Sequence, residues 1–305
     1  MKTILSLAAM RIRITLRNKA FMFFSLFMPL TIFFLYGSIF AKGSPQVFAV
    51  LMGPVLSFTV MGTFWGLGLQ LVTWRERGIL RRFRLAPMSS SSMLAASILA
   101  NYILIFPTVI LELIMARAVY HVRDLGNLTS VFLLVILGVT SFGALGLIIA
   151  SVTNTMQETQ VLNQLLWFAM IFLTGATVPL ALLPKVVQRI GLFLPPTYLI
   201  FGLQKAILRH AAWYTLGIEL VSLAAWGALA FAISSLLFRW EPEAKLPKNA
   251  KLWAVATIIP FVLLGLWENH NGKLLAGATS MFQDRPPERA VPQAEKPAAA
   301  PASNQ

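Results

Sequence analysis

The 305-residue sequence contains no cysteine. This absence excludes a disulfide framework, thiol chemistry and metal sites with cysteine ligands. Acidic residues are also scarce, because 11 Asp and Glu stand against 25 Lys and Arg and leave a formal net charge of +14. Most of the basic residues lie between apolar runs, which is how a membrane topology signal is distributed, so we do not expect nucleic acid as a partner.

The sequence also lacks the common motifs of catalysis. It has no G-x-x-x-x-G-K-[ST] motif, so we expect no ATP site on this chain. Its three histidines, His121, His210 and His270, show neither an H-E-x-x-H pattern nor an acid at metal-ligand spacing. We therefore expect that the chain is not an enzyme and binds neither a metal nor a cofactor.

Apolar sequence, by contrast, is abundant: 57% of the residues are hydrophobic and 12% are charged. A helix needs about 20 residues to cross a hydrocarbon core about 30 Å thick. Seven apolar runs approach this length, and they cover residues 21–41, 47–70, 93–115, 128–151, 161–180, 213–238 and 252–267. The pattern predicts an all-α integral membrane protein with six spans and a seventh, shorter one, for which a surface hairpin is the alternative.

Residues 1–19 precede the first run and carry five Lys or Arg. On a helix, Ile4, Leu5, Ala8, Ile12 and Leu16 share one face, which predicts an amphipathic helix on the anionic inner leaflet. With this end inside, the short inner segments hold fourteen Lys and Arg and the outer segments seven. This asymmetry predicts a multi-pass protein of the cell (inner or plasma) membrane with a cytoplasmic N-terminus.

Small residues mark two of the runs. Gly62 and Gly66 form a G-x-x-x-G pattern in the second run, and Gly143 and Gly146 share a face of the fourth. Glycines at this spacing let helices approach closely. The pattern favours tight helix packing, either within the chain or between two subunits.

A charged segment, residues 74–92, separates the second and third runs. Its sequence WRERGILRRFRLAPMSSSS holds five arginines and one acid, and Ile79, Phe83 and Leu85 recur at roughly helical spacing before Pro87 and four serines. We predict a short amphipathic helix on the inner side that transmits a push from a soluble partner. Two alternatives remain open: the arginines bind anionic lipid headgroups, or they only orient the protein.

A second unusual segment, residues 172–204, interrupts the fifth run with glycine and prolines. Gly175 and Pro179 come first, and the prolines at 184 and 195 bracket a short amphipathic stretch. This stretch is too polar to span the membrane and too apolar to lie free in water. We expect it to lie at the outer interface or to re-enter the membrane.

Both segments resemble those of a known family. Residues 75–82, RERGILRR, followed by LAPMS at 85–89, resemble the coupling helix in the first cytoplasmic loop of permease subunits of ABC-2 type transporters. Gly175, Pro179, Pro184, Pro195 and Tyr198 resemble that family's outer re-entrant hairpin between the fifth and sixth helices. The resemblance covers about residues 1–240. The chain departs from it at a linker and seventh run, residues 241–268, and at a Pro/Ala-rich tail, residues 269–305, expected to be disordered.

The resemblance implies a function and partners. It implies a permease subunit of an ATP-driven exporter for a hydrophobic or amphipathic substrate such as a drug, a lipid or a glycan-lipid. It also implies a homo- or heterodimer with separate cytoplasmic ATPase subunits, which hold ATP and Mg. The implied ATPase interface comprises Glu76, Arg77, Gly78, Ile79, Arg81, Arg82, Phe83, Leu85 and Pro87, and the implied outer gate comprises Gly175, Pro179, Pro184, Pro195 and Tyr198.

The alternative function is a proton- or ion-coupled secondary transporter, which would need ionisable groups near the bilayer midplane. Glu112 and Glu219 are the acids inside the predicted spans, and we expect both to reach the outer interface by snorkelling. A polar stripe of Gln157, Gln160, Asn163 and Gln164 opens the fifth span. It is either part of a substrate entry path or an ordinary helix cap.

Overall fold

The computed structural model describes residues 2–17, 19–41, 44–84, 89–241 and 259–271, together with Leu252 and Val255. All regular secondary structure in these residues is helical, which confirms the predicted all-α class. We number the principal helices α1 (Lys2–Arg17), α2 (Lys19–Tyr36), α3 (Pro45–Met61), α4 (Thr63–Glu76), α5 (Ile79–Arg84), α6 (Ser90–Ala118), α7 (Leu128–Val152), α8 (Met156–Leu173), α9 (Lys185–Gly191), α10 (Pro195–Leu208), α11 (Gly217–Leu236) and α12 (Ile259–Asn271).

Four helical stretches are long and apolar enough to cross a membrane, and they match the second, third, fourth and sixth predicted runs. They are Pro45–Glu76, Ser90–Ala118, Leu128–Val152 and Gly217–Leu236. The bent pair α9 and α10 makes a fifth if it counts as one span. The first run contributes a shorter apolar helix, Leu26–Ala41, and the fifth run forms α8, which ends at Leu173. The chain is therefore a multi-pass membrane protein.

Polar side chains fix where several of these helices begin. Ser89 accepts a hydrogen bond from the backbone N–H of Ser92 at 3.2 Å, Asn127 from Ser130 at 3.1 Å, and Thr155 from Glu158 at 3.1 Å. Each acceptor satisfies one of the backbone N–H groups that a helix leaves unpaired in its first turn. The N-termini of α6, α7 and α8 are therefore each fixed by one polar capping residue in an apolar sequence.

The core is built around α7, which packs against α4, α6, α10 and α11. Helices α4 and α7 approach each other closely. A methyl group on Gly68 would lie 2.9 Å from the carbonyl oxygen of Gly146, and one on Gly146 would overlap the carbonyl oxygen of Phe64. A methyl group on Gly143 would lie 3.1 Å from Leu67. Glycine is required at this crossing because the two backbones touch.

The expected G-x-x-x-G pair does not mark this contact. Gly62 is exposed at the break between α3 and α4, and Gly66 is only half-buried. Gly68, rather than Gly62 or Gly66, faces α7, and a contact of the G-x-x-x-G pair between subunits stays a prediction.

The N-terminal helix α1 packs one face against the bundle, and the leaflet contact predicted for its apolar face stays a prediction. Leu7, Ala8 and Arg11 are buried, whereas Leu5 and Leu16 are 57% and 52% exposed. Arg11 turns inward because its guanidinium finds partners there: it donates to Ser97 and Gln70 and lies 4.8 Å above the ring of Trp74. These contacts fasten α1 to α4 and α6. Burial lowers the pKa of Arg11 to about 9, so it stays protonated at neutral pH.

The last described helix, α12, packs against α11 and α9. Gly265 lies against the ring of Phe193, and the side-chain amide of Asn269 donates to the carbonyl oxygen of Arg189 at 3.4 Å. Most of the predicted linker after residue 241, and the predicted tail beyond Asn271, lie outside the described residues.

Candidate functional site

The charged segment forms a tight connection between two membrane-capable helices. α4 ends at Glu76, Arg77 and Gly78 form a turn, and α5 follows directly. Gly78 has a φ of +66°, a left-handed conformation that glycine adopts without strain. Phe83 lies within α5, whereas Leu85 and Pro87, which were assigned to the same interface, lie outside the described residues.

The side chains of α5 separate into an inner and an outer face. Leu80 is fully buried in a cluster with Leu71, Trp74 and Met93, and it anchors the short helix to the bundle. Ile79 is half-buried. Glu76, Arg77, Arg81 and Arg82 are exposed. The exposed face is therefore basic and rests on an apolar anchor.

Arg75, the first arginine of the segment, is buried. Its exposed fraction is 1%. One guanidinium nitrogen donates to the carbonyl oxygen of Ala150 at 2.8 Å, and the other donates to that of Thr153 at 2.6 Å. Both acceptors lie at the C-terminus of α7, where a helix leaves carbonyl groups unpaired and carries partial negative charge. Arg75 therefore joins the end of α4 to the end of α7.

A second arginine reaches the same carbonyl group from the end of α11. Arg239 donates to the carbonyl oxygen of Thr153 at 2.6 Å and to the side chain of Asn154 at 3.0 Å. Burial lowers the pKa of Arg239, and the nearby Glu158 carboxylate opposes that shift. Two guanidinium groups thus converge on one turn of the chain.

Glu76 joins the same place to α8. Its carboxylate accepts a hydrogen bond from the backbone N–H of Met156, the first residue of α8, at 2.8 Å. A carboxylate is well placed there because the N-terminus of a helix carries partial positive charge. We call this cluster of Arg75, Glu76 and Arg239 with residues 150–156 the arginine junction. It ties α4 and α5 to α7, α8 and α11.

The burial of Arg75 could have been predicted from the helical spacing of α4. Leu67, Leu71 and Trp74 are buried on α4, and Arg75 follows Leu71 by one helical turn. It therefore shares the buried face, although it begins a run of arginines that suggested solvent. Arg239 had no such signal, because its partners lie about 85 residues earlier in the chain.

The segment predicted to form the outer gate lies at the opposite end of the bundle. Gly175 is buried with a φ of +88°, and a methyl group there would lie 3.1 Å from Leu180. Pro184 immediately precedes α9, and Pro195 is the first residue of α10. The two helices meet at 95°, and buried Tyr198 donates its hydroxyl hydrogen bond to the carbonyl oxygen of Leu192 at 2.9 Å. All five of these residues thus lie in the broken segment between the end of α8 and α10, which is either a bent span or a re-entrant loop.

Helix α8 connects the two regions. Its first N–H group is bound by Glu76, and its last residue, Leu173, touches Gly191 of α9 through its carbonyl oxygen. The polar stripe divides: Gln157, Gln160 and Gln164 are exposed, whereas Asn163 is buried. The exposed face of α8 also carries apolar side chains within and beyond this stripe: Val161, Leu165 and Phe172 are exposed by 69%, 66% and 54%.

The two acids of the predicted spans do not snorkel as expected. Glu112 is fully buried and accepts a hydrogen bond from the Thr59 hydroxyl at 2.6 Å. Its other oxygen, Oε2, has no hydrogen bond within the described part of the chain. Glu219 is 1% exposed and forms an ion pair with Lys205. Both acids stay inside because a polar partner on a neighbouring helix stabilises them there.

Comparison with known proteins identifies the family. The family model described as ABC-2 type transporter matches residues 3–208, which is more than half of the chain. No curated protein matches the sequence. The matched region contains the arginine segment, α8 and both helices of the hairpin. The chain therefore belongs to the ABC-2 type transporter family, as its membrane-spanning permease component.

Proposed function

We propose that this chain is the permease subunit of an ATP-driven exporter and that a separate cytoplasmic ATPase binds the exposed face of α5. The observation that carries this proposal is the basic surface of Arg77, Arg81 and Arg82, held on a short helix between two membrane-capable helices. The sequence itself has no phosphate-binding motif, so the nucleotide belongs to the partner. The Lys/Arg asymmetry supports a cytoplasmic N-terminus in the cell membrane.

The arginine junction supplies a route for the coupling. A push on α5 moves the end of α4, and Arg75 and Glu76 pass that movement to the turn between α7 and α8. α8 has 18 residues, so it is about 27 Å long at 1.5 Å per residue. Because its far end touches α9, tilting α8 displaces the outer hairpin. ATP binding at one end thereby opens the permease at the other.

The translocation path lies, in this proposal, between two copies of the permease or between this chain and a related one. The exposed face of α8 supports this arrangement, since it is polar near the arginine junction and apolar beyond Gln164. Such a path suits a hydrophobic or amphipathic substrate. The apolar face is then covered by the second subunit and by the substrate.

The proposal includes a seventh crossing after α11. Arg239 is bound at the arginine junction, whereas Gly265 lies against the outer hairpin. These two positions favour a spanning helix over a surface hairpin, and we propose that the tail lies outside.

The docking surface is tested by removing its charge. In Arg81→Gln/Arg82→Gln we expect about tenfold or greater weakening of ATPase association, because charged contacts at a polar interface are lost. Co-purification of an ATPase with the chain, followed by quantification of both, measures this. Arg13→Gln/Arg17→Gln is the matched control, since it removes two exposed charges from α1. Equal ATPase recovery with both double variants would contradict docking on α5.

One observation favours the alternative of a proton-coupled carrier: the buried Glu112 carboxyl group with an unbonded oxygen. A carrier needs this group to exchange a proton, whereas a permease needs only an acceptor for Thr59. For the permease we expect Glu112→Gln to retain export within about twofold, since the amide keeps the acceptor and the shape. The measurement is export by whole cells at a constant proton gradient, with and without ATP depletion. Loss of export in Glu112→Gln would favour the carrier.

A further inference from the structure

Two adjoining cavities open at the end of the bundle opposite the arginine junction. Their volumes are 410 and 550 Å³, and both are lined by His121, Val122 and Arg123. The first also includes Arg117, and the second includes the first turn of α3. We call the two together the outer basic pocket.

The loop that forms the pocket is held rigidly on both sides of His121. The ring of Tyr120 stacks on that of Phe48 with the centroids 3.9 Å apart. Val122 is buried, and its N–H group donates to the carbonyl oxygen of Ala116 at 3.1 Å. His121 itself has a φ of +52°. Left-handed backbone is unfavourable at a non-glycine residue, so the anchors on either side hold the histidine in place.

The pocket carries excess positive charge. Asp124 is the acid in its lining, and that carboxylate is already engaged: it lies 3.0 Å from Nε2 of His210 and accepts a hydrogen bond from the N–H of Gly126 at 2.9 Å. Within the described residues, no ion pair joins Arg117 or Arg123 to an acid. The two guanidinium groups are therefore available to an anion from outside the chain.

The N-terminus of α3 adds to this field. Pro45, Gln46 and Ala49 lie at or near the start of this 17-residue helix and line the second cavity. Pro45 has no N–H group and Ser44 caps that of Val47, so the helix contributes mainly the partial positive charge of its N-terminus. The N-terminus of α3 and the two arginines thus both contribute positive electrostatic potential to the outer basic pocket.

We infer that the outer basic pocket binds a phosphate-type oxyanion. Guanidinium groups donate well to the oxygens of such an anion, both arginines line the first cavity, and the partial positive charge of a helix N-terminus favours an anion. The volume suits a headgroup or a free anion, and two sources share this chemistry: an anionic lipid of the facing leaflet and inorganic phosphate in solution. The site goes beyond the proposed function, because it requires neither ATP nor an ATPase.

The outer basic pocket is linked to the outer hairpin by hydrogen bonds. The loop that carries the pocket is tied to the end of α10, since the N–H of Asn127 donates to the carbonyl oxygen of Ala206 at 2.9 Å. The contact between the Asp124 carboxylate and Nε2 of His210, at 3.0 Å, makes a second link. An anion bound by Arg117 and Arg123 would therefore bind beside the proposed gate.

The test uses the full chain in nanodiscs of phosphatidylcholine, to which phosphatidylglycerol is added for the lipid measurement. One arm titrates inorganic phosphate by calorimetry, and the other counts bound phosphatidylglycerol by native mass spectrometry. In Arg117→Gln/Arg123→Gln we expect about tenfold or greater weakening of whichever probe binds the wild type. Lys185→Gln/Arg189→Gln on α9 is the matched control, with two charges removed at the same end but outside the pocket. It is expected to bind like the wild type.

A second variant guards against loss of folding. In His121→Gly the left-handed backbone is relieved, so the variant should fold, while the imidazole is removed from the pocket. We expect weaker binding with an unchanged or higher thermal midpoint. Failure of both probes to bind the wild type would overturn the inference. So would wild-type affinity in the pocket variants, or an equal loss in the α9 control.

Discussion

Arg75→Met is expected to abolish export while the ATPase still binds and hydrolyses ATP. The substitution leaves the exposed arginines of α5 in place, so docking is retained. It removes the two hydrogen bonds to Ala150 and Thr153, at 2.8 and 2.6 Å, that carry movement from α4 to α7. The carbonyl group of Thr153 keeps Arg239, but that of Ala150 loses this side-chain donor. A buried polar group without a partner costs about 1–3 kcal/mol, so moderate destabilisation should accompany the uncoupling.

The measurement is the ratio of substrate exported to ATP hydrolysed in proteoliposomes. For Arg75→Met we expect the ratio to fall by about tenfold or more, because the connection to α7 acts in the coupled step. Arg75→Lys should recover only part of it, since a single ammonium group cannot reproduce a two-pronged guanidinium contact. Arg13→Met is the control, because Arg13 is an exposed residue of α1 that belongs to neither the arginine junction nor the proposed docking surface. An unchanged ratio in Arg75→Met would show that the junction does not transmit movement.

Glu76→Lys should uncouple transport for a related reason. The carboxylate at the N-terminus of α8 would be replaced by a cation, which the helix dipole repels. The link from α5 to α8 is then broken, although insertion into the membrane remains intact. Pro87→Leu is a further expected uncoupling change, based on the family resemblance of that position.

Gly146→Leu is expected to prevent folding altogether. The side chain would have to enter the contact with the backbone of Phe64, and neither helix can move without opening the core around α7. Overpacking of a buried site costs about 1–3 kcal/mol when side chains yield, and we expect at least the upper end here because the obstacle is backbone. The folded yield in the membrane, measured by size-exclusion chromatography after mild solubilisation, should fall to a small fraction of that of the wild type.

Gly217→Leu is the matched control for that experiment. Gly217 is exposed at the start of α11, and a methyl group there meets nothing within 4 Å. Its folded yield should equal that of the wild type. Normal yield of Gly146→Leu would mean that α4 and α7 do not pack at this crossing.

Much of the fold could be predicted because a membrane sets the length of an apolar run. Four of the predicted runs coincide with membrane-capable helices, and the charged segment between α4 and α6 forms a short helix. The prolines after Gly175 correctly marked a break in regular structure. These features depend on local sequence, so they can be predicted without a structure.

The errors have a common physical origin. Periodicity assigns a polar side chain to water, whereas burial depends on the hydrogen-bond partners that tertiary structure provides. Arg11 is buried because Ser97 and Gln70 accept its hydrogen bonds, and these residues lie 86 and 59 positions away. Glu112 is buried against Thr59 for the same reason. The arginine junction could not be predicted from local sequence patterns for the same reason, because its contacts join residues that are distant in the chain.

The central claim is that α5 faces the cell interior and is covered there by an ATPase. The rate of labelling of Arg82→Cys by a membrane-impermeant maleimide tests it, because the natural chain has no competing thiol. Tyr214→Cys, a position 73% exposed at the opposite end, provides the control for the outer surface. We predict no labelling of Arg82→Cys in intact cells, slow labelling in inside-out vesicles, and faster labelling once peripheral proteins are stripped. Labelling in intact cells, or an identical rate before and after stripping, would contradict the claim.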